Sequence, residues 1–170
     1  MEDKKLIYAA YGSNLLRERF MVYILGGDLG KRIYQGCSDK TEPEDLGWIK
    51  IPHRLYFAKK SELWDNKGVA FLSCFKEKNP EYHAMVRLWK IKESQFREIK
   101  SQEGRFYNKT VELGEKEGYK IFTFTGCWEQ EIEDPSESYL EVILNGLKEA
   151  TGWADHEIKT YLARFLKHKT

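Results

Sequence analysis

The chain has 170 residues, of which 14% are aromatic and 32% charged, and its 28 Lys and Arg residues balance 27 Asp and Glu residues. This length favours a single domain, residues 1–170, and this composition is typical of a globular rather than a disordered protein. A net charge of +1 gives no electrostatic reason to expect a nucleic acid or an anionic membrane as partner. No apolar run approaches the roughly 20 residues of a membrane span, and the N-terminal apolar run is too short for a signal peptide.

The N-terminal part predicts one buried strand, one helix and a loop. Residues 6–12 are apolar enough for the centre of a sheet. Asn14 is placed to cap a following helix, which the pair Gly26-Gly27 ends. The stretch 39–52 contains two prolines and several acidic residues, which predicts a loop.

The middle of the chain predicts three short strands, at residues 53–60, 68–75 and 83–91. The pair Asn79-Pro80 between the second and third is typical of a turn. These two strands are therefore predicted to form a hairpin.

The rest of the chain predicts three helices and one strand pair. Phe96 and Ile99 are spaced for one helix face, and Gly104 is a stop signal. Ser136, after Pro135, is a candidate cap for the next helix. The predicted bounds are helix 92–104, strands 106–114 and 119–127, helix 136–150 and helix 154–169.

This order of elements is not an alternation of strands and helices. It predicts an α+β fold with a small mixed, mostly antiparallel sheet flanked by helices. Many short aromatic-rich strands in a small domain favour a curved sheet or a closed β-barrel.

The cysteines, at positions 37, 74 and 127, are odd in number, widely separated and without Cys-x-x-Cys spacing. They predict buried thiols in a reducing cytoplasm rather than a disulfide framework or a zinc site. We therefore expect a cytoplasmic protein. The cysteines and the four histidines form no convincing set of metal ligands.

The segment Tyr11-Gly12-Ser13-Asn14 lies where the first strand gives way to a helix. Such a turn exposes backbone N–H groups that can hold a carboxylate, a phosphate or a developing oxyanion. Gly12 allows a ligand to approach the backbone, and Tyr11 can form a cavity wall. The simpler interpretation is that Gly12 turns the chain and Asn14 caps the helix.

Glu103 is the second candidate, because it ends a predicted helix just before Gly104. The negative helix end and burial against a sheet would both raise the pKa of its carboxyl toward neutrality. A carboxyl of that kind can accept and return a proton. The simpler interpretation is a solvent-facing glutamate.

Three stretches, YAAYGSNLL, QEGRFYNKTVEL and PSESYLEVILNGLKEATG, resemble the gamma-glutamylcyclotransferase-like family. Its members share a strand ending in YGSNL, a downstream EG pair with the catalytic glutamate, and a tyrosine soon after it. A Pro-Ser-x-x-Tyr helix near the end is also similar to residues 135–139. The chain has Ile99 and Lys100 where members commonly show a Leu-Asp pair before EG.

The resemblance implies a metal-free and cofactor-free reaction on a small γ-glutamyl compound, whose free α-amine attacks its own γ-carbonyl to give 5-oxoproline and a released amine. Glu103 would be the catalytic acid and base. Tyr107 and Tyr139 would hydrogen-bond the substrate. The residues expected around the γ-glutamyl group are Tyr11, Gly12, Ser13, Asn14, Leu15 and Leu16. We expect a monomer or a homodimer, with no nucleic acid or membrane as partner.

Some other residues near these motifs have two interpretations. Trp48, His53 and Trp64 could shape an unusual pocket, although core or rim packing is the simpler expectation. Arg17 or Arg19 could pair with a substrate carboxylate, although a solvated helix face is favoured for both.

Two alternatives to the cyclotransferase stay open. The first is a non-catalytic module that binds or senses a small molecule on the same fold. The second is a hydrolase of a related γ-glutamyl amide, which would release glutamate instead of 5-oxoproline.

Overall fold

The computed structural model describes residues 3–167. The strands are β1 (Lys5–Ala10), β2 (Gly27–Asp28), β3 (Ile33–Tyr34), β4 (Glu44–Ile51), β5 (His53–Ser61), β6 (Lys67–Lys76), β7 (Ala84–Lys92), β8 (Lys109–Lys116) and β9 (Tyr119–Thr125). The α-helices are α1 (Arg17–Leu25), α2 (Glu93–Glu103), α3 (Glu137–Thr151) and α4 (Asp155–Ala163), and 3₁₀ turns lie at Ser13–Leu15, Glu62–Trp64 and Pro80–Tyr82. No helix in this part of the chain is long and apolar enough to cross a membrane.

The main sheet has five strands in the order β4-β7-β1-β9-β8. β1 lies at its centre, antiparallel to β7 and parallel to β9, while the other pairs in this sheet are antiparallel. Breaks in register within β4–β7 and β8–β9 bend the sheet. The predicted α+β class with a mixed, mostly antiparallel curved sheet is confirmed.

The closed-barrel alternative is not found within residues 3–167. The five-stranded sheet ends at β4 and β8, and β5 with β6 forms a separate two-stranded sheet. The predicted hairpin of the second and third middle strands is also wrong, because β6 pairs with β5 and β7 pairs with β1 and β4. The 3₁₀ turn at Pro80–Tyr82 carries the chain from one sheet to the other.

Two further predictions about local structure are wrong. The stretch 39–52 is not all loop, since β4 occupies Glu44–Ile51 and extends the edge of the sheet. Asn14 does not cap α1, whose N-cap position is Leu16. The expected ends at Gly26 and Gly104 and the expected cap at Ser136 are confirmed.

The last predicted helix, 154–169, is shorter than expected. α4 ends at Ala163, and residues 168 and 169 lie outside the described part of the chain.

Cys74 and Cys127 are joined by a disulfide, and Cys37 is buried with a free thiol. The expectation of three free thiols is therefore wrong for this pair. The bond ties the C-terminal part of β6 to the segment that follows β9. Because the two cysteines are 53 positions apart, no local spacing announces the bond. The cysteines consequently give no support to the expected reducing compartment.

The residues of β1 alternate between two apolar clusters, as a central strand requires. Ile7, Ala9 and Tyr11 belong to the cluster that contains β5, β6, α3 and α4 residues. Leu6, Tyr8 and Ala10 belong to the cluster that contains α1 and α2 residues. The chain leaves β1 between these clusters, and the turn that follows lies at their junction.

Candidate functional site

The turn after β1 is held in place by two side chains of β7. Trp89 Nε1 donates to the carbonyl of Asn14 over 3.1 Å, and Arg87 Nη1 donates to the carbonyl of Leu15 over 2.8 Å. Within the turn, the N–H groups of Leu15 and Leu16 donate to the carbonyls of Gly12 and Ser13. As at any helix start, the N–H groups of Ser13 and Asn14 have no intrahelical acceptor.

The turn forms one wall of a cavity of about 300 Å³. Residues from β1, the turn, β6, α2, β9 and α3 meet there. The residues that line it are Tyr8, Tyr11, Gly12, Ser13, Asn14, Ala70, Glu103, Tyr107, Phe124 and Tyr139. The structure thus brings Glu103, Tyr107 and Tyr139 to the same cavity as the turn.

Glu103, the last residue of α2, contacts the turn directly. Its Oε1 accepts a hydrogen bond of 2.9 Å from Asn14 Nδ2, which also donates to the Tyr8 hydroxyl over 3.2 Å. Although Glu103 as a whole residue is half-buried, burial of its carboxyl raises the pKa to about 7. Hydrogen bonding from Asn14, the charge of Arg32 and hydrogen bonding from Tyr23 oppose this rise. The carboxyl is thereby close to half ionised at neutral pH.

Tyr107 and Tyr139 share one partner, the backbone of Ala70 in β6. The N–H of Ala70 donates to the Tyr139 hydroxyl over 3.0 Å, and the Tyr107 hydroxyl donates to the Ala70 carbonyl over 2.8 Å. Tyr139 therefore accepts through its oxygen and keeps a proton with which to donate. Burial raises the pKa of both hydroxyls, so they remain protonated at neutral pH.

Tyr11 and Gly12 contribute shape more than hydrogen bonds. The Tyr11 hydroxyl donates to the carbonyl of Phe124 over 2.5 Å, so its proton is used inside the fold. A Cβ built on Gly12 would lie 3.0 Å from the Tyr139 hydroxyl and 3.3 Å from Ala70 Cβ. A side chain at position 12 would therefore fill space beside the Tyr139 hydroxyl.

Leu15 and Leu16 do not line the cavity, in contrast to the other predicted site residues. Leu15 is buried in the core against α3. A Cβ on Gly146 of α3 would lie 2.6 Å from Leu15 Cβ and 2.6 Å from the Leu16 nitrogen. Both leucines thus anchor the turn against a helix that approaches closely because residue 146 is glycine.

The cavity continues outward past Glu103 into a wider part. Arg19, Tyr23 and Arg32 line this part, and so does Trp64. Sequence reasoning missed Tyr8, Tyr23 and Arg32 and favoured a solvated face for Arg19. One signal was present, because Arg19 and Tyr23 are four residues apart and lie on one face of α1. Arg17, in contrast, pairs with Glu42 at the surface.

The two other aromatic candidates pack away from the cavity. Trp48 meets Trp153 edge to face with ring centroids 5.4 Å apart. His53 is buried, with Nδ1 3.0 Å from the carbonyl oxygen of Ser73. Of the three, Trp64 alone lies at the site, with its ring centroid 4.7 Å from that of Tyr139. Among residues 3–167, no three His, Cys, Asp or Glu side chains gather as a metal site would require.

The chain matches no protein-family model. Among curated proteins, it is similar to histone deacetylase 5 of Arabidopsis thaliana, with 26% identity over 198 residues. This match covers 91% of the chain and 30% of that protein, so the chain spans less than a third of its relative's length.

Solved structures give a closer likeness in shape. A gamma-glutamyl cyclotransferase superposes with a TM-score of 0.68 and 20% identity, over 98% of this chain and 92% of that one. An uncharacterized human protein gives a TM-score of 0.68 and 20% identity, over 99% and 93% of the two chains. YkqA of Bacillus subtilis gives 0.59 and 16%, over 97% of this chain and 56% of that one. The chain therefore has the fold of gamma-glutamyl cyclotransferase, as its motifs predict.

Proposed function

We propose that the protein is a cyclotransferase that converts a γ-glutamyl amine or peptide into 5-oxoproline and a free amine, with Glu103 as general acid and base. One observation carries this proposal: the buried Glu103 carboxyl is hydrogen-bonded to Asn14 and faces the same cavity as the turn that follows β1. The motif resemblance and the fold shared with a gamma-glutamyl cyclotransferase support the same reaction.

The substrate supplies its own nucleophile, so the protein must chiefly hold it in a folded conformation. An α-amine attacks a γ-carbonyl of the same molecule, and such a step gains speed when the two groups are held close together. The cavity, with Gly12 and Tyr139 on opposite sides of a narrow space, suits a γ-glutamyl group bent back on itself. A neighbouring nucleophilic side chain is not needed.

Glu103 would move the protons. As carboxylate, it takes one proton from the substrate α-ammonium, and the freed amine attacks the γ-carbonyl. When the tetrahedral intermediate collapses, Glu103 gives that proton to the departing nitrogen. The attacking nitrogen loses a second proton on forming the lactam, and this proton also ends on the amine, which leaves as an ammonium ion. A pKa of about 7 suits both the acceptance and the return of a proton.

Hydrogen-bond donors around the cavity would hold the substrate's negative charges. The N–H groups of Ser13 and Asn14 and the Tyr139 hydroxyl proton are available for the α-carboxylate and for the oxyanion on the γ-carbonyl oxygen. Loss of one such donor to an oxyanion typically costs about 3 to 4 kcal/mol of transition-state stabilisation. The donors would therefore contribute as much to the rate as the proton transfers.

Product analysis tests this proposal against its alternatives. The protein is incubated with a panel of γ-glutamyl amines and dipeptides, and 5-oxoproline and glutamate are both quantified. Release of 5-oxoproline, lost in Glu103→Gln and kept in the exposed β8 control Glu115→Gln, is the expected result. Release of glutamate would indicate a hydrolase, and tight binding without any product would indicate a binding module.

A further inference from the structure

We infer that Arg19 and Arg32 form an anion-binding subsite for the leaving group, which selects γ-glutamyl compounds whose amine half carries a carboxylate over those whose amine half is neutral. This inference rests on the proposed function, because it assigns the inner cavity to the γ-glutamyl half. It concerns the wider, outer part of the same cavity, whose walls are Arg19, Arg32 and Trp64. We call these three residues the outer subsite.

The two guanidinium groups reach the outer subsite from different elements. Arg19 lies on α1, and Arg32 lies in the segment between β2 and β3. Both are half-buried and line the two adjoining parts of the cavity on either side of Trp64. Two separate stretches of chain thus bring positive charge to one opening.

Neither guanidinium group has an acidic partner within residues 3–167. Arg17, by contrast, pairs with Glu42, and Lys31 at the cavity rim pairs with Asp65. Arg19 lies instead over the Trp64 ring at 4.6 Å, and Arg32 over the Tyr34 ring at 4.5 Å. Stacking occupies the flat faces of both groups and leaves their edge N–H donors free. Those edges match the two oxygens of a carboxylate.

The path through the cavity indicates which half of the substrate meets these arginines. The γ-glutamyl group must be close to Glu103 and the turn, in the inner part. Glu103, Tyr107 and Tyr139 line both the inner and the outer part, so the scissile bond lies where the two meet. The leaving amine then extends outward, past Trp64, toward Arg19 and Arg32.

Charge balance favours an anion there. Glu103 is the one acidic residue that lines the outer part at the level of Arg19 and Arg32, and ionisation of its carboxyl is already disfavoured by burial. A leaving group with a carboxylate would find two positive charges at a low-dielectric opening. A cationic or neutral amine would leave both unpaired.

The test compares γ-glutamyl-alanine with γ-glutamyl-alaninamide, which differ only in the leaving-group carboxylate. For the wild type, kcat/KM for 5-oxoproline release is expected to be at least tenfold higher with γ-glutamyl-alanine. In the double variant R19Q/R32Q this ratio should fall to about one, while in R97Q, which removes an exposed arginine of α2, it should stay as in the wild type. The conservative double variant R19K/R32K should keep part of the preference.

Two outcomes of the kinetic test contradict the subsite. One is a wild-type ratio near one, and the other is an equal loss for both substrates in R19Q/R32Q. An equal loss would mean that the arginines bind the carboxylate of the γ-glutamyl half or only support the fold.

Binding to Glu103→Gln, measured by calorimetry with the same two compounds, separates this inference from the proposed function. If the wild type forms 5-oxoproline without a preference, the function stands and the subsite is wrong. If no 5-oxoproline forms but γ-glutamyl-alanine binds at least tenfold more tightly, and R19Q/R32Q abolishes the difference, the subsite stands and the cyclotransferase is wrong. Failure to bind either compound, with no turnover, would overturn both.

Discussion

Asn14 Nδ2 donates to Glu103 Oε1 over 2.9 Å, and this bond joins two residues that are 89 positions apart in the chain. It connects the turn after the central strand with the C-terminal end of α2. The site depends on this pairing, because it holds a carboxyl of raised pKa against the wall that would bind the substrate.

The pH dependence of turnover should report the Glu103 carboxyl. Since the carboxylate form is the base, kcat/KM should fall about tenfold per pH unit below a pKa of about 7. The charge of Arg32 lowers this pKa, so Arg32→Gln should move the acid limb of the profile to higher pH. Arg97→Gln, on the exposed face of α2, is the control and should leave the profile in place. A limb that stays put in Arg32→Gln, or an apparent pKa near 4.5, would contradict the assignment.

Gly12→Ala should reduce turnover by filling space beside Tyr139. The added methyl group would lie 3.0 Å from the Tyr139 hydroxyl, where the bent γ-glutamyl group is expected. We expect kcat/KM to fall at least tenfold, while the free energy of unfolding stays within about 1 kcal/mol of the wild-type value. Steady-state kinetics and urea denaturation check the two parts. Wild-type kinetics in this variant would show that the substrate does not occupy this space.

Arg87→Leu should destabilise the protein and slow the reaction without touching the substrate. Its side chain is 4% exposed, bonds to the Leu15 carbonyl and pairs with Asp45 and Glu149. Since both carboxylates are 38% exposed, the expected loss of unfolding free energy is about 2 to 3 kcal/mol, less than for a fully buried pair. Urea denaturation measures it against Arg97→Leu, for which a surface pair predicts less than about 1 kcal/mol. Equal stability of the two variants would remove Arg87 as a support of the turn.

Reduction of the Cys74–Cys127 bond should lower stability. The bond closes a loop of 53 positions, for which the chain-entropy relation gives about 4 kcal/mol. Urea midpoints of the wild type with and without a thiol reductant, and of the double variant Cys74→Ser/Cys127→Ser, measure this loss. A midpoint unaffected by the reductant, while mass spectrometry shows both thiols reduced, would contradict the expectation.

The sequence predicts those parts of the fold that depend on local signals. The apolar run of β1, the Gly26 and Gly104 helix ends and the Ser136 cap each have a short-range physical cause, and each is confirmed. Pairing between strands does not have such a cause. Asn79-Pro80 looks like a hairpin turn, but β7 has a better partner in β1, which lies far away in sequence. A long-range bond such as Cys74–Cys127 is hidden for the same reason.

The candidate site divides in the same way. The turn and Glu103 carry recognisable motifs, so sequence reasoning could single them out. Tyr8 is one of several apolar residues in a buried strand, and nothing local distinguishes it from the core. Arg32 lies in a short irregular segment, and its proximity to Glu103 results from tertiary folding alone. Leu15 and Leu16 belong to the motif yet pack against Gly146, because a motif gives residues and not their directions.

The most direct test of the central claim is the rate of 5-oxoproline release by Glu103→Gln, compared with Glu115→Gln, at saturating γ-glutamyl-alanine and pH 8. Because the amide cannot accept the α-ammonium proton, the account predicts a loss of about a hundredfold or more in kcat for Glu103→Gln, with Glu115→Gln at the wild-type rate. Release of 5-oxoproline by Glu103→Gln at the wild-type rate would contradict the account.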